Sequence, residues 1–173
     1  KADEIERYVT QIIRASNEDF LSLKVTMGEF YLSELVDKIT VYYRDKLELV
    51  KTNFHVDSYG NCLLKGDSER CIEVLQNIVE NAIKYGDGSR ISLHFSEEDG
   101  CVLICVRNTG CTLPDTELPH IFDSFWRGTN LKSQNGSGLG LYICRQLMYR
   151  MGGDIFAVNK NNIMKITLVF SLA

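Results

Sequence analysis

The sequence predicts an α/β fold of the α+β kind: a two-layer sandwich in which a mixed sheet carries helices on one face. Three observations predict it. Residues 71–83 and 139–151 place apolar side chains at gaps of three and four, the period of a helix buried along one side. Short runs at 53–56, 63–65, 90–95, 102–106, 154–158 and 163–170 read as strands. The order is helix, strand, helix, strands, helix, two strands, long connection, helix, two strands, which segregates helices from strand pairs.

The elements follow in order. Ile5, Val9, Ile12, Ile13 and Ser16 have heptad-like spacing, which fits either the end of a longer coiled-coil helix or a surface helix packed on the domain. Leu21, Leu23, Val25 and Met27 alternate and predict a strand. Leu32, Leu35, Val36, Ile39, Tyr42 and Tyr43 give a helical stripe. Asn53–Val56 and Leu63–Lys65 read as strands around a turn near Tyr59-Gly60-Asn61. Asp67 or Ser68 can cap the central helix, which ends by Gly86 before an Asp87-Gly88 turn. Arg90–Phe95 and Val102–Val106 are strands joined by the polar turn Glu97–Gly100. Residues 107–137 hold both prolines, Pro114 and Pro119, and no long periodic segment. So long a connection in a compact domain predicts a functional lid. After the helix Leu139–Met151, Asp154–Val158 and Ile163–Phe170 pair through Asn159–Asn162.

The 173 residues are 45% hydrophobic and 24% charged, the balance of one globular domain with a core. A formal net charge of −4 argues against nucleic-acid binding. No apolar run approaches the roughly 18 residues of a membrane span. The first residue is Lys1, so we expect a piece of a longer protein. No two of the six cysteines (Cys62, Cys71, Cys101, Cys105, Cys111, Cys144) have the spacing of a zinc or redox motif. We expect small buried thiols in a reducing compartment.

The chemistry centres on Asn77 to Tyr85. Asn77, Asn81 and Lys84 are spaced to share one helix face, opposite the apolar stripe. Asn disfavours helix interiors, so two in a strongly periodic helix call for a reason. A carboxamide oxygen is a neutral ligand, suited to Mg²⁺ when phosphates complete its shell, and Lys84 can meet phosphate as a point charge. Gly136-Ser137-Gly138-Leu139-Gly140-Leu141 opens the second long helix, where glycines let backbone N–H groups approach an anion. The run is neither a Walker loop nor a dinucleotide fingerprint.

Together these stretches resemble the catalytic, ATP-binding domain of sensor histidine kinases, within the superfamily shared with gyrase B and MutL. Asn77–Tyr85 is similar to that family's asparagine box, Phe122–Arg127 to its phenylalanine box and Gly136–Leu141 to its second glycine box. Val106-Arg107-Asn108-Thr109-Gly110 stands in place of the first glycine box, and Gly66-Asp67 and Gly152–Ile155 also fit. The resemblance runs from about Leu21 to Phe170. It implies a Bergerat-type fold with ATP and Mg²⁺ as cofactors. It makes Asn81 the Mg²⁺ ligand, puts Asn77 and Lys84 near the phosphates, and puts Tyr85 near adenine or ribose. Gly136, Ser137, Gly138, Leu139, Gly140 and Leu141 would bind ATP, with Gly138 and Gly140 giving backbone contact to phosphate. Phe122 and Phe125 would anchor the lid, and Arg127 would steady the γ-phosphate or an interface. The family's adenine-reading Asp is here Asn108, whose carbonyl oxygen still accepts a hydrogen bond. Gly110 is retained, and Thr112 replaces a second glycine.

The resemblance divides the chain into 1–18, the end of a dimerisation and phosphotransfer helix or a linker, and 19–173, the catalytic domain, with a lid at about 110–137. Hydrolytic relatives carry a Glu where this chain has Asn77, and Glu80 points about 100° away from Asn81. That favours phosphoryl transfer over hydrolysis, and no catalytic side chain is assigned. None of His55, His94 and His120 sits in a helical hairpin. The acceptor histidine is therefore expected on a separate dimerisation domain, with a response regulator as further partner. The implied parent is a homodimeric membrane sensor kinase with this domain in the cytoplasm, and the isolated domain a monomer. The rival readings are an anti-sigma-factor-type serine kinase and a non-catalytic nucleotide-binding module.

Overall fold

A computed structural model of the chain describes residues 1–16, 23–126 and 140–173. The elements are α1 Ala2–Ser16, β1 Gly28–Tyr31, α2 Leu32–Leu49, β2 Asn53–Val56, β3 Leu63–Gly66, α3 Ser68–Tyr85, β4 Arg90–Glu98, β5 Cys101–Thr109, α4 Gly140–Arg150, β6 Asp154–Lys160 and β7 Ile163–Ser171. Five strands form one sheet in the order β2-β4-β5-β7-β6. β2 runs parallel to β4 and the other neighbours are antiparallel, so the sheet is mixed as expected. One face buries Ile91, Leu93, Val102, Ile104, Val106, Ile166, Leu168 and Phe170 in the same cluster as Leu35, Ile39, Leu75, Ile78, Ile143 and Leu147 of α2, α3 and α4. Burying one such side chain contributes about 1.5–3 kcal/mol, so this face fixes how the helices lie on the sheet.

A small second sheet, β1 with β3 antiparallel, was not foreseen. It corrects two expectations. The strands at 53–56 and 63–66 belong to different sheets and do not form a hairpin. The strand expected over Leu21–Met27 starts only at Gly28, and Leu21 lies outside the described residues. Within that run the backbone bonds side chains at the head of α3 instead of a strand. The Thr26 N–H donates to Asp67 Oδ2 at 2.8 Å, and Arg70 Nε donates to the Lys24 carbonyl at 3.1 Å. In α2 the apolar stripe holds except at Tyr42, which is exposed, and it extends to the buried Leu47.

Both hairpins turn more tightly than predicted. Glu98 pairs with Cys101 across Asp99 (φ 49°) and Gly100 (φ 75°). Lys160 pairs with Ile163 across Asn161 (φ 54°) and Asn162 (φ 60°). Two central residues at positive φ make the turn whose twist suits paired strands, and Asn, Asp and Gly tolerate it. The longer strands absorb Asn159 and Arg107 to Thr109, which the sequence reading placed outside strands.

The second sheet face carries a polar network. Ser92 Oγ lies 2.9 Å from His94 Nε2, His94 Nδ1 is 2.6 Å from Asp57 Oδ2, and His55 Nε2 is 2.8 Å from Asp57 Oδ1. The third histidine, His120, ends the 3₁₀ turn Leu118–His120, with Nδ1 3.0 Å from Asp123. All three histidines are thus outside the α-helices. No helix among the described residues is long and apolar enough to cross a membrane.

Candidate functional site

The site is built on α3. Asp67 is its N-cap, the carboxylate accepting from the Glu69 and Arg70 N–H groups. Cys71, Val74, Leu75, Ile78, Val79 and Ala82 are buried, which turns Asn77, Asn81 and Lys84 away from the sheet. Asn77 and Asn81 are half-buried and Lys84 is exposed. Asn77 faces the start of α4: a Cβ added at Gly140 would lie 3.9 Å from its Oδ1. Cys144, one turn along α4, is fully buried and its Sγ lies 3.7 Å from the Val74 carbonyl. Burial pushes its thiol well up, partly offset by a bond with Asn77, so it is no nucleophile. Lys84 Nζ is 3.3 Å from the Tyr8 hydroxyl.

Glu80 points elsewhere. Its Oε1 accepts from Tyr43 Oη at 2.9 Å and Lys46 Nζ at 3.2 Å, both on α2. Burial, then the Glu80 charge, pushes the Tyr43 hydroxyl far up, so it remains a donor. The carboxylate next to Asn81 is thus occupied in tying α3 to α2.

The end of β5 meets the C-terminus of α3. Asn108 is 7% exposed, and its Nδ2 donates to the Thr109 carbonyl at 3.3 Å. Only the nitrogen can donate to a carbonyl, so this bond orients the amide and leaves Oδ1 as its acceptor. Gly86 makes the approach possible: a Cβ there would lie 3.0 Å from Asn108 Nδ2 and 2.6 Å from the Ala82 carbonyl oxygen. Asp87 then clasps the strand end. Its N–H donates to the Thr109 carbonyl at 3.0 Å, and Thr109 Oγ1 donates to its carboxylate at 2.6 Å. The Thr109 bond, with help from the Ser89 N–H, holds the Asp87 carboxyl below its usual range.

Beyond Gly110 the connection is rooted by the buried Cys111, Leu113, Ile121 and Phe122. Arg145 of α4 lies over the Phe122 ring at 5.5 Å. Phe125 does not share this role. It is 55% exposed and held at φ 61°, so among the described residues Phe122 is packed and Phe125 is not. The backbone at 125 turns left-handed, which carries that ring outward. Thr112 is exposed, while Tyr85, Gly110, Gly140 and Leu141 are half-buried. Arg127, Gly136, Ser137, Gly138 and Leu139 lie outside the described residues. Sequence reasoning missed Asp87 and Asn159, whose Nδ2 donates to the Leu113 carbonyl at 3.0 Å. Both fell in stretches read as turns, a pattern that marks a bend without naming what it will bind.

The structure therefore brings Asn77 and Gly140 together at the α3–α4 junction, and Gly86 and Asn108 together at the end of α3. The set offers carboxamides, backbone groups and one ammonium. Among the described residues no group of three or more His, Cys, Asp or Glu could hold a metal ion.

Residues 66–172 match the family described as histidine kinase-, DNA gyrase B-, and HSP90-like ATPase. Sensor histidine kinase RcsC of Escherichia coli is 31% identical over 153 residues, 86% of this chain and 16% of RcsC. Sensor protein VanSC of Enterococcus gallinarum is 26% identical over 99% of this chain and 47% of its own length. The chain thus spans less than half of these curated relatives. The catalytic domain of histidine kinase ThkA superposes with a TM-score of 0.74 at 26% identity, over 85% of this chain and 96% of that one. ThkA in complex with the response regulator TrrA shares the fold over 99% of this chain and 48% of that one, with a TM-score of 0.80 at 24% identity. On the extent of the family match and the agreement in fold, the chain belongs to the histidine kinase-, DNA gyrase B- and HSP90-like ATPases, a family of ATP-binding domains.

Proposed function

We propose that the chain is the catalytic domain of a sensor histidine kinase, which holds Mg²⁺-ATP and presents its γ-phosphoryl group to a histidine on a separate dimerisation domain. The observation that carries this reading is the convergence at α3. Its amide-bearing face meets the start of α4 at Asn77, and its C-terminus meets the buried acceptor Asn108. Asn81 is the metal-holding side chain in this account, and the bound Mg²⁺ would supply charge neutralisation to the phosphates. Asn77 and Lys84 orient the phosphate end, while Asn108 Oδ1 accepts from the adenine amino group. Tyr85 borders the base or ribose. Gly110 and Thr112 begin the lid, Phe122 pins it to α4, and Arg127 with Gly136 to Leu141 completes the phosphate end.

Glu80 is committed to Tyr43 and Lys46, which supports transfer over hydrolysis. The relatives' names favour a histidine acceptor over the serine-kinase and non-catalytic alternatives. Residues 1–18 are the end of the dimerisation and phosphotransfer helix of a homodimeric parent, or a linker, and 19–173 form the catalytic domain, monomeric by itself. Its place is the cytoplasmic side of a membrane sensor, with a response regulator receiving the phosphoryl group downstream.

The test supplies a separate histidine-bearing helical hairpin with labelled ATP. Acid-labile label on the hairpin and none on this chain is expected. Label on a serine of an added partner, or free phosphate alone, would overturn the reading.

A further inference from the structure

The sheet face turned away from α2, α3 and α4 carries two cations side by side. Val106 and Ile166 are buried in the cluster under the helices, and alternation along a strand puts Arg107 and Lys165 on the opposite face. These two residues are direct partners across the β5–β7 ladder, and Ser92 of β4 stands on the other side of Arg107. Residues so placed have Cβ atoms about 4.5–5.5 Å apart, and like charges there repel. Both side chains are half-buried. Among the described residues neither has a carboxylate partner. Arg107 Nε is buried and makes no hydrogen bond, which is unfavourable for a donor and more so for one on a charged group. The acids bordering this face are committed or remote. Asp57 accepts from His55 with one oxygen, at 2.8 Å, and meets His94 with the other, at 2.6 Å. Asp154 is opposite Val169, four residues along β7 from Lys165, and accepts from the Ile155 N–H. Glu98 is six residues along β4 from Ser92. Ser92 Oγ is itself taken by His94 Nε2 at 2.9 Å.

We propose that Arg107 and Lys165 bind the phosphate of a small phosphomonoester on this outer face of the sheet. Charge selects phosphate over carboxylate. A phosphomonoester carries about 1.5 to 2 negative charges near neutral pH, enough to answer two cations, whereas a carboxylate carries one. Its oxygens give Arg107 Nε the acceptor it lacks, and the guanidinium fork suits two of them at once. Lys165 adds a point charge. The neighbouring strand supplies a place for the rest of the ester. Val158 is opposite Lys165 across the β6–β7 ladder, and Phe156 shares its face. Both are 43% exposed, an apolar shelf beside the cations that fits an aromatic or aliphatic body. The site is independent of the nucleotide reading, because Asn108 belongs to the other face of β5.

NMR titration of the full chain, following the Arg107 Nε–H signal at constant ionic strength, tests it. The probes are inorganic phosphate, phenyl phosphate and acetate. Phosphate is expected to shift the signal saturably with a Kd of about 1–10 mM, and acetate to leave it in place. Lys165→Gln should weaken phosphate about tenfold. Its urea midpoint should be no lower than that of the wild type, since a like-charge neighbour has been removed, so a lost shift is not lost folding. Phenyl phosphate should bind about three- to tenfold more tightly than inorganic phosphate, and Val158→Ser should cancel that gain. Equal affinities would overturn the ester and leave a site for the inorganic ion. No saturable shift, the same shift with acetate, or an unaltered Kd in Lys165→Gln would overturn the site itself.

Discussion

Gly110 holds a position that no other residue type fits. Its φ is +79°, and a Cβ there would lie 2.4 Å from the Asp87 Cβ. Left-handed backbone and a side chain at that distance each penalise substitution, so Gly110→Ala should lose about 2–4 kcal/mol. Urea unfolding checks this, and a loss below about 1 kcal/mol would mean that the Asp87 clasp yields easily. Asp57 carries a pH prediction. Bonds from His55 and then His94 hold its carboxyl below the usual aspartate range. A folded-state value below the unfolded one gives stability that is present in full above about pH 4 and is lost as pH falls through the folded value. Asp57→Asn should therefore flatten the acid limb of the urea midpoint against pH between about 5 and 2. An unaltered limb would show that the sheet-face network does not respond to acid through this group.

Between elements, the head of α3 matters beyond its own helix. Asp67 caps α3 through one carboxylate oxygen, and the other accepts from the Thr26 N–H ahead of β1. Asp67→Ala removes both anchors and should cost about 1–2 kcal/mol, the upper part of the range for a cap. Hydrogen exchange should show protection lost at Thr26 as well as in the first turn of α3. Loss confined to α3 would mean that residues 23–27 are held by the buried Leu23 and the Arg70 bond to the Lys24 carbonyl without help from Asp67. These residues also show where the sequence stops being informative. Alternation of Leu23 and Val25 signals burial, and burial was read as a strand. The backbone partner is an Asp carboxylate 41 positions away, which no local pattern encodes. α3 itself was readable because stripe, cap and terminating glycine agree.

For the molecule as a whole, the two-layer arrangement was legible because the helices carry continuous stripes and the strands come in pairs. The second sheet was not, since β1 and β3 have four residues each, too few to declare a partner. The candidate site was half legible. The Asn77–Asn81–Lys84 face follows from helical period alone, whereas the clasp of Asp87 on Thr109 and the exposure of Phe125 depend on where the chain crosses itself. What unites these parts in the proposed account is a helix whose outer face holds an ion by a neutral oxygen. Calorimetry of ATP binding with and without Mg²⁺, on the wild type and on Asn81→Ala, tests that most directly. The account predicts that Mg²⁺ strengthens ATP binding in the wild type and that this gain disappears in Asn81→Ala. A variant that keeps the full Mg²⁺-dependent gain would contradict it.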